Sequence, residues 1–237
     1  MLEMLLEVQD HDTAIDRLRH RRANLPERVD LARLQDEVAA TGAGLVQTGT
    51  QRDEVARRQK RSEDELAAVE AKIAEIEERL YSGAISIPRE LQAMQAEVDS
   101  LRRRRSSLED LVLEAMGDRE PLDAEVDRLE SLRKAQDVEG GRLRGVIAET
   151  EAAIDAELAT ETAARETAAA TLPADLSTLY ERMRSQLGGV AVARLVNGRC
   201  AGCHLTLATT ELDRIRHEPP DALIRCEQCN RLLIRTF

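Results

Sequence analysis

From Leu91 onward, apolar side chains recur in steps of three, four or seven: Leu91, Met94, Val98, Leu101, Leu108, Val112, Ala115, Leu122, Val126 and Leu129. Arg133, Gln136 and Gly140 interrupt the series, which resumes at Leu143, Ile147 and Ile154. A second stripe reads back from Leu80 through Ile76, Ile73, Val69, Leu66, Val55, Leu45, Val38, Leu34 and Leu31. A seven-residue repeat puts a narrow apolar seam on one face of a helix. One helix buries neither seam alone, so each needs a partner.

Tyr81-Ser82-Gly83-Ala84-Ile85-Ser86-Ile87-Pro88 separates the stripes. Gly83 lets the chain reverse, and Pro88 is tolerated only in the first turn of the helix that follows. The flanking segments are each about 80 residues long, or roughly 120 Å at 1.5 Å per residue. The pattern predicts an antiparallel helical hairpin over residues 1–172 with its tip at 81–88, near Ala84. The alternative is one continuous helix in a parallel dimer, which Gly83 and Pro88 disfavour. In a symmetric hairpin residue i faces residue ~168 − i. Pro26 then lies level with Gly140-Gly141, and Gly44 and Gly49 bracket the level of Pro121, which suggests two flexible joints. A chance coincidence among a few helix breakers is the competing explanation.

Composition sharpens this picture. Charged residues make up 33% of the 237-residue chain, and Tyr81, Tyr180 and Phe237 are its only aromatics. Such a chain is poor material for a large globular core and good material for long exposed helices. The start, Met1 to Glu7, carries early acids and no basic lead, unlike a signal peptide. No apolar run is long enough to span a membrane. These features predict a cytoplasmic protein without a membrane partner. The net charge of −11 repels nucleic acid except at a local patch.

After the repeat ends near Leu172-Pro173, a short connector helix is expected from Ala174 to Gln186, stopped by Gly188-Gly189, within a connector at 173–189. The remaining residues, 190–237, hold all four cysteines. Cys200-Ala201-Gly202-Cys203 and Cys226-Glu227-Gln228-Cys229 are separated by the 22 residues 204–225. Two intervening residues let both sulfurs of a pair reach one ion from a tight turn, and two such turns make a closed tetrahedral Zn2+ site. A small β-rich zinc ribbon is predicted, with strands at 190–196, 222–225 and 231–235. A helix capped by Thr209 or Thr210 should run through Ile215 and His217 and be stopped by Pro219-Pro220. So short a segment, with one Phe, needs the metal in order to fold. Disulfides do not suit a reducing compartment, and a redox pair needs a larger βαβ setting. His204 reads as a strand residue rather than a fifth ligand. Four protein ligands leave no open position for water, so the single zinc is structural, with no catalytic residue and no small-molecule substrate implied.

Three stretches together resemble a bacterial family of coiled-coil proteins with a C-terminal C4-type zinc ribbon. Leu80-Tyr81-Ser82-Gly83 with Arg89-Glu90-Leu91-Gln92-Ala93-Met94-Gln95 looks like the family's hairpin tip. Tyr180-Glu181-Arg182-Met183 through Gly189-Val190-Ala191-Val192-Ala193 looks like its connector. The two cysteine pairs, with Asn230-Arg231-Leu232-Leu233, look like its ribbon. Asn230 stands where the family usually has Gly, and Asn tolerates a left-handed turn. The resemblance implies a non-enzymatic interaction protein.

Two functions remain open on the sequence, beside a purely structural oligomerisation rod. One is a protein–protein adaptor in which the hairpin is a spacer presenting the ribbon. The other is a nucleic-acid-binding module. By the symmetric pairing rule, Arg57, Arg58, Lys60 and Arg61 lie near Arg102, Arg103, Arg104 and Arg105, forming a basic belt. The ribbon has seven arginines against five acids, offset by the −2 of a zinc–tetrathiolate centre. The chain lacks aromatic platforms for stacking bases.

Overall fold

The computed structural model describes residues 2–83, 85–219 and 221–235. Ala84, the expected tip residue, and Pro220 lie outside the described residues. The chain is mainly α-helical, a long antiparallel coiled-coil hairpin with a small C-terminal sheet. Its elements are α1 (Glu3–Ala23), α2 (Pro26–Tyr81), α3 (Pro88–Ala170), α4 (Ala174–Gln186), β1 (Val192–Val196), β2 (Arg199–Cys200), α5 (Thr209–His217), β3 (Ile224–Arg225) and β4 (Leu232–Arg235). Its contacts separate two compact units, residues 30–142 and residues 1–29 with 143–237.

In the 30–142 unit the seams meet as the repeat predicts: Ile73, Ile76 and Val98 are buried together, flanked by Val69, Met94 and Leu101. The register is not the symmetric one. Gly44 lies against Leu129 rather than the level of residue 124, and Gln59 bonds Arg119 rather than reaching the level of 109. The physical reason lies at the connection. Residues 85–87 belong to no helix or strand, and α3 runs through three exposed residues before Leu91 is even half-covered. The start of α3 therefore overshoots the end of α2, and the levels of Gly44 and Gln59 shift.

The expected joints also read differently. Helix α2 continues through Gly44 and Gly49, and α3 continues through Pro121 and Gly140-Gly141. The break falls at Asn24–Leu25. There the Asn24 backbone N–H closes α1 onto the carbonyls of His20 and Arg21, and Pro26 opens α2 at the position where its missing N–H costs nothing.

The other unit is built around the N-terminal helix. Leu5, Leu6 and Val8 of α1 pack with Ala168 and Leu172, with Tyr180 and Met183 of α4, and with Val192, Leu232 and Ile234 of the sheet. Helix α4 ends as its glycines predict: Gly188 takes φ +67, and the Gly189 N–H bonds the Arg184 carbonyl, a left-handed cap that only glycine enters freely. Within this core, Asp12 is buried and accepts bonds from the Tyr180 hydroxyl (2.6 Å) and from Arg165 (3.3 Å), with Arg184 3.2 Å away. Burial, then the bond to Asp12, pushes the Tyr180 hydroxyl far above its usual pKa.

Candidate metal centre

The sheet runs β2-β1-β4-β3, with β1 and β4 parallel and the outer pairs antiparallel. Side chains alternate across it. Val192, Leu232 and Ile234 face the α1–α4 core, while Ala193, Leu233 and Ile224 join Cys200, Cys226, Leu207 and Ile215 on the other side. One thin sheet thus serves two cores, one helical and one built around the cysteines.

The cysteine pairs occupy two turns of the same construction. In the first, the N–H of His204 bonds the Cys200 carbonyl (2.8 Å), and the Cys200 N–H bonds the Leu205 carbonyl (3.0 Å). In the second, the N–H of Asn230 bonds the Cys226 carbonyl (2.8 Å), and the Cys226 N–H bonds the Arg231 carbonyl (2.9 Å). The residue after each second cysteine is left-handed, His204 at φ +61 and Asn230 at φ +60. His204 is therefore a turn residue, not a strand residue, and it is absent from the cluster of sulfurs. The reversed backbone aims both thiols of each pair to one side.

The four sulfurs lie within 4.8 Å of one another, with Cys200–Cys229 at 3.8 Å and Cys203–Cys226 at 3.9 Å. Four thiolates about 2.3 Å from a tetrahedral zinc stand roughly 3.8 Å apart along the edges of the tetrahedron. The set fits zinc in both donor type and spacing. Burial drives the Cys226 thiol up to about 12 and raises Cys200 as well. Burial also raises Cys229, but the backbone N–H and guanidinium of Arg231, with Cys226 and Cys203, outweigh it and bring that thiol to about 7. A bound dication supplies the charge that removes the remaining protons.

Two arginines missed on the sequence hold this centre in place. Arg231 donates to the carbonyls of Val190 (2.9 Å), Gly202 (3.4 Å) and Leu187 (3.5 Å), joining both cysteine turns to the end of α4. A Cβ at Gly202 would come within 2.7 Å of the Arg231 Cδ and 3.0 Å of the Ala193 Cβ, which explains the small residue there. Arg235 donates to the carbonyls of Ile215, Glu218 and Pro219, closing the end of α5. Helix α5 is capped by Ala208 without a side-chain bond, so neither Thr209 nor Thr210 is its cap.

Gln9 of α1 grips the same linker from the other side. Its Oε1 accepts from the N–H groups of Ala191 (2.7 Å) and Val192 (3.3 Å), and its Nε2 donates to the Gly189 carbonyl (3.1 Å). Gln9 and Asp12 occupy the seam between Leu5 and Ile15. Polar residues interrupting the apolar series Leu5, Val8 and Ile15 are the sequence signal for this arrangement.

Ion pairs place members of both basic runs: Arg58 pairs with Asp118, Arg104 with Glu65 (2.9 Å), one turn from Arg61, and Arg102 with Glu77 (2.6 Å). Lys60 pairs with Asp64 and Arg105 with Glu109. Among the described residues, Arg57, Arg61 and Arg103 are in no ion pair.

A coiled-coil hairpin joined to a sheet with a closed four-thiol site defines a zinc ribbon protein carrying one structural zinc. Residues 8–188 match the CT398-like coiled coil hairpin domain and residues 199–233 the C4-type zinc ribbon domain, and the chain belongs to this CT398-like family. It is 31% identical over 231 residues to the uncharacterized protein Rv2229c of Mycobacterium tuberculosis, covering 98% of this chain and 94% of that one. Among solved structures, a Mycobacterium smegmatis protein superposes with a TM-score of 0.86 at 22% identity over 100% of this chain and 99% of its own. CT398 from Chlamydia trachomatis gives 0.68 at 20% identity, over 99% and 97%. The HP0958 protein from Helicobacter pylori gives 0.52 at 18%, over 99% and 96%. These likenesses establish the fold. No enzyme family is among them, and no helix among the described residues is long and apolar enough to cross a membrane.

Proposed function

We propose that this chain is a non-enzymatic adaptor of the cytoplasm, where its thiols stay reduced. The hairpin (1–172) acts as the spacer, and the connector (173–189) carries a ribbon (190–237) that meets protein partners. Cys200, Cys203, Cys226 and Cys229 are the four ligands of its zinc. The observation that carries this reading is the closed site: four thiols complete a tetrahedron and leave no coordination position for a substrate. Surfaces for partners are present in each unit. Tyr81, one of the chain's three aromatics, is 78% exposed beside the tip, and Ile87 is exposed nearby. The ribbon exposes Val196, Leu205 and Leu223. Tyrosine is among the residue types that most often anchor protein interfaces.

Cys200→Ser and Cys226→Ser variants test the metal assignment. Each should fall from one zinc per chain to none, and the ribbon should lose order while most helical circular dichroism persists. Photo-crosslinkers at positions 81 and 205 test the adaptor. The adaptor reading fails if the serine variants keep their zinc, or if neither crosslinker joins a protein partner in cells.

A further inference from the structure

The unit formed by 1–29 and 143–237 has a second concave feature that the metal centre does not use. A cleft of about 380 Å³ lies between α1 and the end of the connector, lined by Arg17, His20 and Arg21 on one wall and by Gly188, Gly189 and Val190 on the other. Thr13 and Asp16 complete the lining.

The charges around this cleft are unevenly spent. Asp16 is occupied by Arg184 (3.1 Å) and Arg19 (3.7 Å), Arg22 is held by Asp155 (2.7 Å), and Arg28 is held by Glu151. Arg17 and Arg21 are in no ion pair among the described residues. They stand one turn apart on the same helix face, where like charges repel. In a chain with 45 acids against 34 cations, an uncompensated arginine pair facing a cleft is a local exception. His20 adds a donor: the Asn24 amide lies 3.2 Å from its Nδ1, which then accepts and leaves Nε2 to carry the proton. At Gly188 a Cβ would meet nothing within 4 Å, so the wall is open there, whereas at Gly189 a Cβ would stand 3.0 Å from the Asp16 carboxylate.

We infer that this cleft docks a short acidic segment of a protein partner, with carboxylate side chains entering between Arg17 and Arg21. This rests on the adaptor reading and gives the partner a chemistry. The guanidinium fork matches a carboxylate in plane and in spacing. The surroundings favour a short segment over a long polyanion. Glu3, Glu7 and Asp10 border the next groove toward the N-terminus of α1, and Glu157 and Glu161 line the groove that shares Arg17. A nucleic acid tracking out of the cleft meets these acids in both neighbouring grooves, and no Phe, Tyr or Trp ring lines the cleft to stack a base.

The test titrates the zinc-loaded full chain with fluorescein-labelled hexaglutamate and, separately, labelled hexauridylate, at about 0.15 M salt. Hexaglutamate should bind saturably, and each of Arg17→Ala and Arg21→Ala should weaken it roughly tenfold, the usual loss for a charge-assisted bond. Arg17→Lys and Arg21→Lys should recover part of the loss, because the charge returns without the fork. Arg57→Ala/Arg61→Ala, which removes two unpaired cations of the hairpin, should bind like the parent. The exposed α1 positions tolerate alanine, and unchanged helical circular dichroism and zinc content confirm the fold. No saturable hexaglutamate binding, an equal loss in the Arg57/Arg61 variant, or tighter hexauridylate binding through Arg17 and Arg21 would each overturn the assignment. If hexaglutamate fails while the crosslinker at position 81 still joins a protein partner, the cleft falls and the adaptor stands.

Discussion

Replacing Gln9 with alanine should destabilise the N- and C-terminal unit out of proportion to the few atoms removed. The side chain is buried at 4% exposure and, among the described residues, supplies the side-chain partners of three backbone groups in the 189–192 linker. Without it the Ala191 N–H, the Val192 N–H and the Gly189 carbonyl lose their bonds inside a packed interface. An unsatisfied buried polar group costs about 1–3 kcal/mol. The Val192 contact, at 3.3 Å, counts for least, and water entering the vacated space recovers part of the rest. About 3 kcal/mol is therefore expected for Gln9→Ala, roughly a hundredfold in the unfolding constant. Thr13→Ala is the control, because its hydroxyl meets the same amide (3.2 Å) and its own helix carbonyl but no part of the ribbon. It should cost under about 1 kcal/mol. The chain has no tryptophan and two tyrosines, so a Tyr81→Phe background leaves Tyr180, within this unit, as the sole tyrosine reporter. Urea titration of the zinc-loaded protein, followed by Tyr180 emission, measures both variants. Equal losses for the two, or a Gln9→Ala loss below about 1 kcal/mol, would refute the clamp.

Asp12→Asn should cost about 1–3 kcal/mol by the same readout, because Arg165 and Arg184 lose the buried carboxylate between them but keep Glu181 and Asp16; a loss under about 1 kcal/mol, the size of an exposed ion pair, would argue against a coupled network. Zinc affinity should fall as the pH falls, since thiols held high by burial must give up protons to bind. The fall should steepen below about pH 7, where Cys229 also becomes protonated; competition with a chromogenic chelator across pH measures this, and a flat profile contradicts it. Charge reversal of Arg102 and Arg104 breaks exposed pairs with Glu77 and Glu65, so it should move the urea midpoint little and leave oligonucleotide retention on a filter as it was; lost retention would restore a nucleic-acid role for those residues.

Local patterns in the sequence determined the element types and the metal chemistry. The seven-residue repeat, Gly83 with Pro88, and Gly188-Gly189 each act through neighbours within a turn or two, so they are readable without the fold. The paired cysteines are equally local, because each turn orients its own two sulfurs, and Asn230 takes the left-handed angle its residue type permits. Register was not local: it depended on how the chain crosses from α2 to α3, and Gly44 and Gln59 face levels a turn or more from the symmetric ones. Pro121, Gly49 and Gly141, which look like breakers in isolation, lie inside unbroken helices, and Gly44 lies against Leu129 of the opposing helix. The clamp on the ribbon was equally out of reach, because Gln9 and Arg231 lie more than two hundred residues apart and meet only through the linker between them. Only the tertiary structure decides which buried polar groups satisfy one another, since that depends on directional bonds between distant segments rather than on any periodicity along the chain.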